Sequence, residues 1–237
     1  MNDSEPALDI PEEIPRDLLV RILTSAESLD SIVVGGQALN LWAEHYFFKA
    51  QDELRACAPF QSKDIGFFGD ATVAAELARM LEADLKIPSR DDVVTPNSAA
   101  IDIKLRGKHY TIDFLHSIAG LDTEIMRKRA QILEEPLAVE GSFSRDTEVR
   151  LLHPVDVLIS RIAGITILKR MDPGAQRQLT AAPIVLREFI RELLDIGDQD
   201  AIKEARDAVR EFIRIGSAHF NDPILDIYGI DIIAHAA

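Results

Sequence analysis

A single cysteine, Cys57, occurs in the 237 residues. That excludes an intramolecular disulfide framework and any cysteine-rich metal site, and no histidine lies close to it in sequence to suggest a thiolate nucleophile. Positive charge is scarce as well: 26 Lys and Arg stand against 40 Asp and Glu, a formal net charge of -14. Such a balance argues against a broad footprint on extended duplex nucleic acid or anionic membrane and leaves room for a local basic patch only. No apolar run approaches the roughly 20 residues needed to span a bilayer. The opening MNDSEPALDIPEEIP is acidic and contains proline where a signal peptide would be basic and then apolar. A cytoplasmic protein without membrane partners is expected. Several catalytic signatures are missing too. The six histidines lack the i, i+4 spacing of a zinc helix, and neither a G-x-S-x-G elbow nor a G-x-x-x-x-G-K-[ST] loop occurs.

With 47% hydrophobic and 28% charged residues, the chain has the balance of a globular protein long enough to bury a core. Residues 1–14 have a tail composition. Arg16 to Leu29 places Leu18, Leu19, Ile22, Leu23 and Ala26 at helical spacing, the short β-branched run Ser31 to Gly36 reads as a strand ending in two glycines, and Gln37 to Phe48 resumes helical periodicity. Lys49 to Gln61 is a polar, mixed stretch, read as a helix end and loop. Ser62 to Phe68 reads as a strand and Ala71 to Leu85 as a helix. Ala99 to Leu105 and Lys108 to Leu115 flank Arg106-Gly107 as a hairpin. Asp122 to Leu133 looks helical, with weaker strand signals at Leu137 to Val139 and Thr147 to Leu151. Beyond His153-Pro154 the pattern becomes helical, over Val155 to Leu168, Ala182 to Leu194 and Ala201 to Ile215. The expectation is an α/β (α+β) protein: a tail over 1–14, a mixed sheet flanked by helices over 15–152, and a helical C-terminal subdomain over 153–237.

Two features of this pattern bear on chemistry. A strand that ends in Gly35-Gly36 and opens a helix lets backbone N–H groups approach a phosphate, and the helix N-terminus adds positive potential. In QSKDIGFF, strand alternation puts Ser62, Asp64, Gly66 and Phe68 on one face and Lys63, Ile65 and Phe67 on the other. An Asp in the middle of a short strand runs against propensity, which points to a use for its carboxylate. The same interruption recurs in TIDFL at Asp113. If the two strands are neighbours, Asp64 and Asp113 can converge on a hard cation such as Mg²⁺. Asp102 alternates with Lys104, where a cross-strand charge pair or solvation accounts for it. Cys57 reads as incidental, and His116 is a candidate for the pocket rim.

VVGGQALNLW, SKDIGFF and TIDFL together resemble the three signatures of the nucleotidyltransferase superfamily with the polymerase-beta-like fold, particularly its minimal and AbiEii-like, toxin-related members. The resemblance covers about Ile32 to Leu115 by motif. It implies an enzyme that moves a nucleoside monophosphate from an NTP to a hydroxyl of RNA, protein or a small molecule with Mg²⁺, a tRNA end being among the acceptors. By motif match, Gly35 and Gly36 correspond to the phosphate turn, Asp64 and Asp113 to catalytic carboxylates that bind the metal, and Ser62 and Lys63 fall in the nucleotide-binding set. LLHPVDVLISRIAGITILKR resembles the helix after the palm, in which Arg161 matches a basic residue facing the nucleotide. Lys169 and Arg170, near the end of that helix, are favoured there by its dipole in any case.

The sequence departs from the family at Gly66, which stands where a second metal-binding carboxylate belongs. Weak transfer is the expectation, with a catalytically inactive nucleotide-binding or regulatory module as the alternative. A domain with no nucleotide site is a third reading. Asp70 and Asp102 are the nearby acids to nominate as substitutes, and neither has the expected strand parity and spacing.

Overall fold

The computed structural model describes residues 13–60, 64–89, 95–137 and 145–219. The expected N-terminal tail and the Ser62 and Lys63 positions lie outside this set, apart from residues 13 and 14. Among the described residues the chain forms helices α1 (Arg16–Ala26), α2 (Gly35–His45), α3 (Gln51–Cys57), α4 (Ala71–Leu81), α5 (Thr123–Arg129), α6 (Pro154–Thr166), α7 (Pro173–Ile196) and α8 (Gln199–His219). The strands are β1 (Ile32–Val34), β2 (Asp64–Phe68), β3 (Asp84–Lys86), β4 (Asn97–Leu105), β5 (Lys108–Leu115), β6 (Gln131–Leu137) and β7 (Arg145–Leu151). All seven join one mixed sheet in the order β3-β4-β5-β2-β1-β7-β6. β2 is parallel to β5 and antiparallel to β1, and β1 is parallel to β7. The α+β class expected from the sequence is therefore the one observed.

Side-chain alternation divides the sheet chemically. Ile65, Phe67, Ile101, Ile103, Ile112 and Phe114 are buried on one face. There Phe67 and Phe114 stack at 5.4 Å, and each such side chain contributes about 1.5–3 kcal/mol on burial. The opposite face at the centre carries Asp64, Gly66, Thr111, Asp113 and Asp102, which are exposed or half-buried. The expected hairpin turns at Arg106 and Gly107, whose φ values of 53° and 79° are the two left-handed residues a tight two-residue turn requires.

Four boundaries differ from the sequence reading. The polar Lys49–Gln61 stretch contains α3, which Glu53 ties to α7 by accepting from Arg187 Nη1 at 2.9 Å. α4 stops at Leu81 because Glu82 turns left-handed (φ 54°), which frees Asp84–Lys86 to pair with β4. α5 ends at Arg129, and Ile132 and Leu133 enter β6, where the partners Arg150 and Val149 of β7 supply a ladder that overrides local helix preference. α7 starts at Pro173 rather than Ala182, since Asp172 caps it by accepting from the Ala175 N–H at 3.0 Å and proline suits the first turn.

After Leu151 the remaining described elements are helices. α7 packs on α2, α3 and α6, and α8 on α6 and α7. Trp42 of α2 locks this junction by donating Nε1–H to the Leu152 carbonyl at 2.9 Å and meeting Phe189 of α7 edge-on at 5.8 Å. No helix of the described residues is long and apolar enough to cross a membrane.

Candidate functional site

The chain leaves β1 and enters α2 through Gly35 and Gly36, and the two glycines serve different needs. Gly35 has φ +69°, with no atom near the place a Cβ would occupy. Its requirement is conformational, and another L-residue there costs roughly 1–2 kcal/mol. At Gly36 the constraint is contact: a Cβ would stand 2.7 Å from Nε2 of Gln178 on α7, so the end of that flexible side chain would have to shift. The N-terminus of α2 has no side-chain cap, so its first backbone N–H groups are available to a ligand.

Beside the turn lie the strands that carry the two carboxylates. The register pairs Val34 with Gly66, Asp64 with Thr111 and Gly66 with Asp113. Asp64 and Asp113 thus sit on the same face of adjacent parallel strands, one step apart diagonally. Asp113 is half-buried and accepts from Asn97 Nδ2 at 3.2 Å. Burial raises its proton affinity above the usual carboxylate range, and the nearby charges of Asp64 and Asp102 raise it further. The pairing of Asp102 with Thr111 also corrects one expectation: Asp102 does have the parity to share this face, and it forms the anticipated charge pair, with Lys86 of β3. Asp70 has a different task, as the N-cap of α4, accepting from the N–H groups of Thr72 and Val73.

Arg161 projects from α6 toward the same place. Its Nη1 donates to Gln178 Oε1 at 2.7 Å, while Nε and Nη2 make long contacts of 3.4 Å to Ser160 Oγ. Gln178 is the side chain that closes over Gly36, so Arg161, Gln178 and the glycine turn are contiguous. Neither partner of this guanidinium is charged. Desolvation, and then the repulsion of Arg170, bring its pKa down to about 10, with Asp64 opposing the shift. The group stays cationic at neutral pH, half-buried and without a bonded counter-ion among the described residues. Lys169 instead caps α6 by donating to the Thr166 carbonyl at 2.7 Å, as its place at a helix end suggests.

The structure therefore brings together Gly35, Gly36, Asp64, Asp113 and Arg161. Ser62 and Lys63 lie outside the described residues, and His116 is exposed beyond β5. Gln178 and Asn97 were missed. One is a glutamine in a polar helical turn and the other precedes a strand, and neither position has a sequence pattern that singles it out. A Mg²⁺ ion with one or two protein carboxylates, phosphate oxygens and water is compatible with the pair Asp64 and Asp113, and the mutual repulsion around Asp113 favours a cation there. Among the described residues no set of three or more His, Cys, Asp or Glu side chains is gathered as a metal site. Gly66 adds no ligand, and a Cβ at that position would lie 3.2 Å from Val34 Cγ2.

A separate cleft of 580 Å³ lies along α8 between Arg129, His153 and Glu204. Its charges are largely matched internally: Arg210 pairs with Asp207, Arg214 with Glu211 and Arg129 with Asp156. It does not include any residue of the glycine turn or the carboxylate pair. No family model, curated protein or solved structure matches the chain.

Proposed function

We propose that the chain is a nucleotidyltransferase-like protein that binds an NTP at the Gly35–Gly36 turn and transfers its NMP unit, weakly, to an acceptor hydroxyl. The observation that carries this reading is Arg161: a half-buried guanidinium, hydrogen-bonded among the described residues to neutral groups, placed against a glycine turn at an uncapped helix N-terminus. A cation drawn partly out of water is stabilised by a carboxylate or phosphate partner. Here an anion that reached the turn would meet both the backbone N–H groups of α2 and the guanidinium. In the reaction, an acceptor oxygen forms a bond to the α-phosphorus, the bond to the bridging oxygen breaks, pyrophosphate leaves and the hydroxyl proton passes to solvent.

The chain's own groups divide this work. The turn and Arg161 hold and neutralise phosphate oxygens. Asp64 and Asp113 would hold Mg²⁺, which when bound supplies positive charge beside the reacting phosphate. Asn97 orients Asp113 by its hydrogen bond. RNA, including a tRNA end, protein and small molecules remain the acceptor classes to test. The purified protein should be incubated with each labelled NTP, Mg²⁺ and tRNA or total protein, in parallel with Arg161→Ala and Arg161→Lys. Mg²⁺-dependent incorporation that Arg161→Ala abolishes and Arg161→Lys partly keeps is the expected result. Incorporation indifferent to Arg161 would refute the assignment.

Gly66 favours a second reading, a nucleotide-binding or regulatory module without catalysis, because the strand position directly opposite Asp113 provides no oxygen ligand. Calorimetric NTP binding without turnover is its signature.

A further inference from the structure

Asn40 lies one helical turn beyond Gly36 on α2, and the two face the same segment of α7. Gln178 covers Gly36 and also walls a slot of 40 Å³ beside Asn40, with Pro59, Phe60 and Arg177 among its other sides. Asn40 is only 2% exposed, and its amide nitrogen has no hydrogen-bond partner among the described residues. A buried amide with an unmatched nitrogen is costly, and it sits at a position where an apolar residue would suit the helix better. Such a group calls for a partner that the described residues do not supply.

The surroundings suit a planar ring. Pro59 and the half-buried Phe60 give apolar flanks, and Arg177 is an exposed cation. Cys57 and Arg177 also wall a 380 Å³ cavity toward α3, so the slot and this larger cavity are neighbours on either side of the same two residues. Gln178, the side chain that stands over Gly36, is also a wall of the slot, so the glycine turn and the slot adjoin one another.

Building on the nucleotide reading above, we propose that this slot receives the edge of the nucleobase and that Asn40 determines which base is accepted. The unmatched amide nitrogen and the Arg177 guanidinium are both donors, so the favoured edge carries a carbonyl oxygen at C6 of guanine or C4 of uracil, where adenine and cytosine carry an amino group. Phe60 supplies a surface for the ring face.

Calorimetric titration of the full chain with GTP, UTP, ATP, CTP and inorganic tripolyphosphate, each with Mg²⁺, tests this. The wild type should bind GTP or UTP about tenfold tighter than ATP and CTP. Asn40→Leu keeps the volume and removes the unmatched amide, so it should fold at least as well. Its four NTP affinities should converge to within about twofold with tripolyphosphate binding unchanged. Asn40→Asp should weaken GTP and UTP selectively. Equal affinity for all four NTPs in the wild type, or a base preference that survives Asn40→Leu, overturns the proposal and assigns the amide to a trapped water. If tripolyphosphate and every NTP fail to bind the wild type, the phosphate seat itself is refuted. Tripolyphosphate binding without base preference refutes the slot alone.

Discussion

Gly66→Asp tests whether the strand position opposite Asp113 belongs to a cation site. The new Cβ would stand 3.2 Å from Val34 Cγ2, so the valine must give by a few tenths of an ångström or leave its rotamer, at about 0.5–1.5 kcal/mol. The larger effect is electrostatic. Residue 66 is the register partner of Asp113, and neighbouring strands lie about 4.8 Å apart. Two negative charges at about 5 Å repel by about 3 kcal/mol at an effective dielectric of 20, and by just under about 1 kcal/mol in water. With Asp113 half-buried and Asp64 exposed, the electrostatic cost without metal should be about 1–3 kcal/mol. That corresponds to a fall in Tm of about 2–4 °C for each kcal/mol in a chain of this size. A cation that binds the folded protein and not the unfolded chain returns stability in proportion to the logarithm of its concentration over Kd. Thermal unfolding in EDTA and in millimolar Mg²⁺ should therefore show a larger Mg²⁺-dependent rise for Gly66→Asp than for the wild type, accompanied by increased NMP transfer. If the variant and the wild type respond identically to Mg²⁺, the carboxylates of this face do not form a cation site.

Two further perturbations probe the frame around the site. His153 is buried, and its Nδ1 caps α6 by accepting from the Val155 N–H at 3.0 Å. Burial holds its pKa below the ordinary value despite Glu204 and Asp156, with Arg129 adding to the depression. The unfolded chain therefore binds the proton more readily, and stability should fall as pH drops below about 6.5. His153→Asn keeps a capping acceptor and should abolish that part of the fall in denaturant titrations between about pH 7.5 and about pH 5.5; an unchanged profile would exclude His153 as its source. Arg187 bridges Glu53 of α3 and the buried Glu188, with Nε 2.7 Å from Glu188 Oε1. Arg187→Met leaves Glu188 to Arg191, whose Nη1 donates to Glu188 Oε1 at 2.8 Å, and should cost about 2–4 kcal/mol, most of it recovered in Arg187→Met with Glu188→Met; additive losses in urea unfolding would refute this coupling.

The sheet and its carboxylates were legible because their signals are local. Asp64 and Asp113 each interrupt an apolar alternation, and alternation fixes the face even before the strand neighbours are known. Strand order was not legible at all, and it is what makes Asp64 and Asp113 neighbours and gives Asp102 the parity denied to it on sequence grounds. α3 was missed because its seven residues present only Leu54 and Cys57 to the core, too few for a periodicity. Its placement depends on Arg187, 134 residues away. Gln178 was equally hidden. Its importance comes from meeting Gly36 and Arg161 across helices, a relation no local pattern encodes.

These long-range placements give the site two opposite electrostatic demands. Among the described residues Arg161 is a cation without a bonded counter-ion, while Asp113 is buried in part and sits among carboxylates that raise its proton affinity. A bare anion at the glycine turn would answer the first demand and aggravate the second, since Asp64 influences both groups. A bare cation at Asp64 and Asp113 would do the reverse and add repulsion against Arg161. A polyphosphate that carries its own divalent cation answers both at once. In the proposed reading, anion and cation affinities must then reinforce each other, and linkage makes that reinforcement equal in both directions. The net charge of -14 fits the same logic: in a field this negative, a phosphate ligand approaches more readily once magnesium has reduced its charge.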